Sequence, residues 1–157
     1  MATSSIIILL VRYGLVVLFF PFSALDKALN FKGAVQQAAE VFSFRPGAIA
    51  VILVGLVIEI VMPLGILTGI ADRLAAFVMA GYCMVTAILF KRFWEPDDFW
   101  LAGDSKARGM FWDLLKNFSL ASGFLLIVVG IDGQGWLRFE ADPFGSSHPY
   151  ASVTVKQ

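Results

Sequence analysis

Four long apolar runs constrain this chain more than anything else in it. A helix needs roughly 20 mostly apolar residues to cross about 30 Å of hydrocarbon. In lipid, every backbone polar group must also find a partner inside the protein. The first run extends from about Ser5 to Leu25, with Arg12 as its only charge. The second extends from about Gly47 to Ile70, with Glu59 as its only charge. The third runs from about Arg73 to Phe90 and no charge interrupts it. The fourth runs from about Met110 to Ile131, with Asp113 and Lys116 in its first turns. The pattern predicts an all-α integral membrane protein: a four-helix transmembrane bundle over residues 1–131, followed by a polar extramembrane tail over 132–157.

Composition agrees. Of the 157 residues 59% are hydrophobic and 15% charged, where soluble domains average about 45–50% and about 25%. An ordinary soluble enzyme, a coiled coil and a disordered chain are excluded. The N-terminus does not read as a cleaved signal. Met1 to Ser5 carries no Lys or Arg, and no small-x-small site follows the apolar run, so it is expected to be a retained first helix.

Between the first two spans, Phe31, Val35, Ala38 and Phe42 recur on one helical face, with Lys32, Gln36, Gln37 and Glu40 elsewhere around it. A short amphipathic helix along the membrane surface is expected here. Pro46 suits the first turn of the second span. Spans two and three are joined by only Thr68 to Asp72, which forces them to be antiparallel neighbours. The third loop is long and charged, and Trp94, Trp100 and Trp112 fit an aromatic belt at the lipid–water boundary. The tail is expected to be extended and solvent-facing, anchored by Trp136.

Twelve basic and twelve acidic residues cancel, so no global field attracts nucleic acid. A single cysteine, Cys83, excludes an internal disulfide and a thiolate zinc site, and a single histidine, His148, excludes a bis-His haem within one chain. No metal site is expected. Any haem, flavin or metal must come from a partner. Eight of the twelve Lys and Arg residues fall on the side of the first and third loops. That bias places those loops in the cytoplasm and both termini outside.

Charges inside spans are the candidate functional groups, because each costs at least about 2.5–3.5 kcal/mol there. Arg12 and Glu59 fall at similar depths in antiparallel spans, so they are expected to pair, either as a structural clamp or as a buried proton or ligand site. Pro63 removes the partner of the Glu59 carbonyl. The second span should kink there, beside a small-residue face of Gly55, Gly65 and Gly69. A second constellation is expected where three helix ends share one membrane face. It comprises Asp26 and Lys27; Lys91 and Trp94; and Asp113, Lys116 and Asn117. Asp113 with Lys116 and Asp113 with Asn117 have helical spacing. Together they form either a polar pocket for a headgroup or quinone ring, roofed by Phe93 and Trp94, or a set of snorkelling cations with belt tryptophans. Cys83 reads as a buried small hydrophobe and His148 as a surface residue of the tail.

In order and spacing these features resemble the DoxX/DoxD family of small bacterial membrane proteins over roughly Leu10 to Val129. The features are Arg12 in the first span and Ser23 to Lys27 at its end; Glu59 and Gly65 in the second; Thr68 and Arg73 at the turn; Phe93-Trp94 after the third; and Lys116-Asn117 in the fourth. Lys91-Arg92 stands where other members often carry a histidine. The resemblance implies a multi-pass four-helix bundle of the bacterial cytoplasmic membrane. Some members are described as subunits of thiosulfate:quinone oxidoreductase, and others accompany redox enzymes or quinone stress. It therefore implies a subunit of a quinone-linked redox system, with a bound quinone, surrounding lipids, and a homo-oligomer or a partner redox protein, rather than a stand-alone enzyme. A non-catalytic anchor for a partner and an oligomeric small-solute transporter are the alternatives.

Overall fold

A computed structural model describes residues 3–42, 44–130 and 134–151. The described residues fold into seven helices and no strand: α1 (Thr3–Val16), α2 (Phe20–Leu29), α3 (Phe31–Ala39), α4 (Arg45–Thr68), α5 (Asp72–Phe90), α6 (Lys106–Val129) and α7 (Gly135–Ala141). Four stretches are long and apolar enough to cross a membrane: Thr3–Leu29, Arg45–Thr68, Asp72–Phe90 and Lys106–Val129. The protein is a four-helix membrane bundle. Large apolar side chains such as Leu10, Val57, Val85 and Leu126 point outward from every span, which suits lipid and not water.

The first span is two helices, not one. Pro21 lies at the start of α2, and its missing N–H leaves the Val17 carbonyl without an intrahelical donor. The chain passes through a turn at 17–19 and restarts as α2. Pro63, by contrast, sits inside α4 without ending it. Pro46 occupies the first turn of α4, the position a proline tolerates best.

Residues of α5 and α6 form the centre of the core, with Ala76, Met79, Ala80, Ala121, Phe124 and Val128 all fully or almost fully buried. Val16 and Phe20 close this core from α1 and α2, and Ile66 closes it from α4. The α3 segment lies over α4, where Val35 and Ala38 pack on Ala48 and Ile52. That buried pair belongs to the face the periodicity marks. Gly69 ends α4 in the left-handed region (φ 78°) with its N–H on Gly65 O at 3.0 Å, which gives the tight reversal into α5.

Among the described residues 134–151 the tail keeps much of its surface in solvent, but it is not extended throughout: it forms α7 and docks on the bundle. Phe139 of α7 joins the main core, and Trp136 stacks near Phe77 and Phe139. The chain then folds back so that Ser147 and Tyr150 reach the α4–α5 turn. Apolar surface on α7 and polar partners at the turn outweigh the solubility that the tail's composition suggests. The end of the bundle carrying this turn is the turn end. The opposite end, where α2 stops and α6 begins, is the loop end.

Candidate functional site

Two buried ion pairs occupy different depths. At the turn end Arg12 donates to Asp72 Oδ2 at 2.6 Å, to the Ile66 carbonyl at 2.7 Å and to Ser147 Oγ at 2.9 Å. Asp72 is fully buried and opens α5, where a carboxylate also meets the positive end of the helix dipole. The Ser147 N–H donates to Asp72 Oδ1 at 2.8 Å, its hydroxyl donates to Asp72 Oδ2, and the Tyr150 hydroxyl donates to Leu67 O.

Nearer the loop end Lys27 Nζ donates to Glu59 Oε1 at 2.7 Å and to Oε2 at 2.9 Å. Glu59 is 2% exposed. Its Oε1 also accepts from Ser23 Oγ at 3.0 Å and from Tyr82 OH at 2.9 Å, and Lys27 donates to Ser23 Oγ at 2.6 Å. Ser23 and Lys27 are four residues apart, so one face of α2 presents both to α4. Gly55 makes room for Tyr82: a Cβ there would stand 3.1 Å from the Tyr82 hydroxyl.

The expected Arg12–Glu59 pair therefore does not form. Helical side chains lean toward their own N-terminus. In antiparallel helices, Arg12 leans toward the turn end and Glu59 toward the loop end, so comparable depth carries them apart. Arg12 reaches α4 at Ile66, seven residues and about 10 Å along the axis from Glu59. Asp72 and Lys27 are the groups toward which the two side chains lean. Asp72 reads from sequence as a turn residue, and Tyr82 as part of an uncharged span. The available signal was that each in-span charge needs an opposite charge displaced toward its own helix N-terminus.

A cavity of about 410 Å³ lies between α2, α3, α4 and α5 and reaches the middle of α6 at Asn117. Of the loop-end constellation, Asp26, Lys27, Lys91 and Asn117 line it, and so does Glu59. Trp94, Asp113 and Lys116 do not. Asp113 stands behind Lys91, pairing with it at 2.9 Å and with Lys116 at 3.5 Å, while Asn117 donates to the Asp113 backbone carbonyl at 2.8 Å. The expected Phe93–Trp94 roof is displaced. Phe93, Phe99 and Phe111 cluster with one another, and Trp94 lines a separate depression with Trp100.

That displacement follows from how the third loop is folded. Arg108 donates to the carbonyls of Phe99 and Leu101 at 2.7 Å each, and to that of Gly103. Asp98 caps α6 by accepting from Lys106 N at 2.6 Å and Ala107 N at 3.0 Å. These bonds hold its carboxyl below the usual carboxylate range, the Ala107 N–H most strongly.

Away from these contacts, Cys83 is buried against the cavity, and His148 is exposed with φ 49°. Among the described residues no three His, Cys, Asp or Glu side chains converge as a metal site would require. A family model described as DoxX matches residues 7–92, more than half of the chain. That match takes in both buried ion pairs and ends before α6. No curated protein and no solved structure gives a significant match.

Proposed function

The chain belongs to the DoxX family of membrane proteins, and from that premise we propose that it is a small membrane subunit of a quinone-linked redox system whose cavity receives the quinone head. One observation carries this reading: the apolar cavity ends on the buried Lys27–Glu59 pair. Ligand sites have this character, about 300–1,000 Å³ of mainly apolar wall with a few convergent polar groups. Phe19, Phe20, Val51, Ile52 and Phe90 supply the wall.

The residues suit such a group. A quinone supplies reversible uptake of electrons and protons. Phe20 and Phe90 would flank its ring, and its oxygen would meet the end where Ser23, Lys27 and Tyr82 stand. Glu59, bonded to all three, is the carboxylate able to hold and release a proton there. Electron-carrying groups belong to a partner protein. The excess of Lys and Arg on the loop end favours a cytoplasmic-membrane protein with that end inside and both termini outside.

The test is purification in mild detergent, with solvent extraction and mass spectrometry of bound quinones and co-eluting proteins. Wild type should retain quinone and a redox partner. Ala34→Trp, which adds bulk to the cavity wall from α3 and leaves Lys27 and Glu59 in place, should lose the quinone and keep the partner. A preparation holding only phospholipid, in wild type and variant alike, overturns the reading.

A further inference from the structure

Lys27 has no hydrogen-bond donor to spare. An ammonium carries three N–H groups, and the three contacts of Nζ are Ser23 Oγ, Glu59 Oε1 and Glu59 Oε2. The Ser23 and Tyr82 hydroxyls are likewise spent on Glu59. A ligand oxygen arriving at this end of the cavity meets a closed, electrically neutral network, although the cavity leads directly to it.

From this closure we propose that the cavity takes an amphiphile with a single anionic oxygen headgroup, and takes one proton with it. The proton from water goes to Glu59 Oε2. The Lys27 N–H bond to that oxygen breaks, and the same N–H then donates to the headgroup oxygen. Ser23 and Tyr82 keep their bonds to Oε1. The pair is neutral before, as cation and anion. It is neutral after, as a cation with the ligand's anion beside an uncharged acid. Adding the anion without the proton would leave a net negative charge at the pair, and adding the proton with an uncharged ligand would leave a net positive one. Both are costly beside a carboxylate as buried as Glu59.

The rest of the wall leaves the exchange to this pair. From α2, Asp26 is exposed at the mouth, where its own charge gives an anion no partner. The cation at the end of α5, Lys91, is already held by Asp113 of α6. Lining residues from α3, from α4 besides Glu59, from α5 up to Ala87 and from α6 are uncharged at neutral pH, Tyr82 and Cys83 included. Two molecules share the required chemistry, a hydroxyquinone in its ionised form and a fatty-acid carboxylate.

The inference rests on the cavity being a ligand site, and it narrows the quinone reading to ligands that carry a charge. The test is isothermal calorimetry of the purified protein in lipid nanodiscs at about pH 8, with empty nanodiscs as blank. Two buffers of different protonation enthalpy report the protons exchanged. The probes are a 3-alkyl-2-hydroxy-1,4-naphthoquinone and dodecanoate. Their uncharged counterparts are the same naphthoquinone without the hydroxyl and methyl dodecanoate.

The expected result is uptake of about one proton per anion bound, with affinity falling about tenfold per pH unit. The uncharged counterparts should bind at least about tenfold more weakly, near 1.4 kcal/mol. Glu59→Gln should keep anion binding and lose the proton uptake. The double variant Lys27→Met with Glu59→Gln leaves no buried charge unpaired, so it should fold and lose anion binding. Binding of one anion but not the other, with its proton, supports the proposal and names the source. Anion binding without proton uptake overturns it. So does tighter binding of the uncharged naphthoquinone, which leaves the quinone reading standing. No binding of any probe overturns both.

Discussion

Arg12 and Asp72, sixty residues apart, meet at 2.6 Å where α1 passes the first residue of α5, and Asp72 has no exposed surface. The pair fastens the first span to the third across the end of the second, whose Ile66 carbonyl takes another Arg12 N–H. Removing one partner of a buried pair strands a charge, at about 3–5 kcal/mol. Arg12→Met and Asp72→Asn should each lower the thermal midpoint in detergent strongly. Arg12→Met combined with Asp72→Asn should cost less than the two single losses added. Additive losses would show that the two groups act independently.

The returning tail completes this end. Ser147 satisfies both oxygens of Asp72, and the Tyr150 hydroxyl meets Leu67 O. A chain stopped after Gly145 should lose a few net hydrogen bonds of about 1 kcal/mol each, measured as a lower melting temperature and faster proteolysis at the α4–α5 turn. A shortened chain with wild-type melting would refute this role for the tail.

Gly69 gives a sharper version of the same test. Its φ of 78° costs a non-glycine residue about 1–2 kcal/mol. An added Cβ would also stand 3.0 Å from Pro149 Cδ. Gly69→Ala should destabilise full-length protein more than the shortened chain, because only the former must also displace Pro149. Equal losses in both backgrounds would show that backbone strain alone is at work.

Four spans, the α3 segment and the tight turn were legible in the sequence because apolar length and period determine them. The break at Pro21 was legible in principle, since the same proline argument applies there as at Pro63. The partners of Arg12 and Glu59 were harder. Depth along a span is a count of residues, whereas pairing depends on the direction each side chain leans. Tyr82 carries no charge, and only its packing against Gly55 reveals that it reaches Glu59. The tail misled because its polar side chains are what dock it: Ser147 and Tyr150 are spent on α4 and α5, not on water.

Asp98 links acidity to the third loop. Its folded-state carboxyl titrates below the ordinary carboxylate value, chiefly through the Ala107 N–H and then the Lys106 N–H and the Ser105 hydroxyl. A depressed carboxyl contributes stability that is present above the unfolded pKa of about 3.9 and is lost as pH falls through the lower folded value. Tryptophan emission from Trp94 and Trp100 should therefore hold steady from neutral pH to about 5. Below the ordinary carboxylate range it should shift as the cap releases α6. Asp98→Asn should abolish that acid step. An unchanged step in the variant would assign it to another carboxylate.

Tyr82 separates the clamp between α2 and α4 from the properties of its carboxylate. Tyr82→Phe removes one of the four hydrogen bonds to Glu59 and leaves both Lys27 contacts in place, so the stability loss should be about 1 kcal/mol. Gly55→Ala acts on the same bond from the opposite helix, since its Cβ would stand 3.1 Å from the Tyr82 oxygen and must push it back. Combined, the two substitutions should cost less than the sum of their separate effects, because without the hydroxyl the alanine has less to displace. Melting temperatures of the two single variants and the double variant give this coupling directly. A strictly additive result would mean that Gly55 is needed for helix packing and not for placing Tyr82 against Glu59.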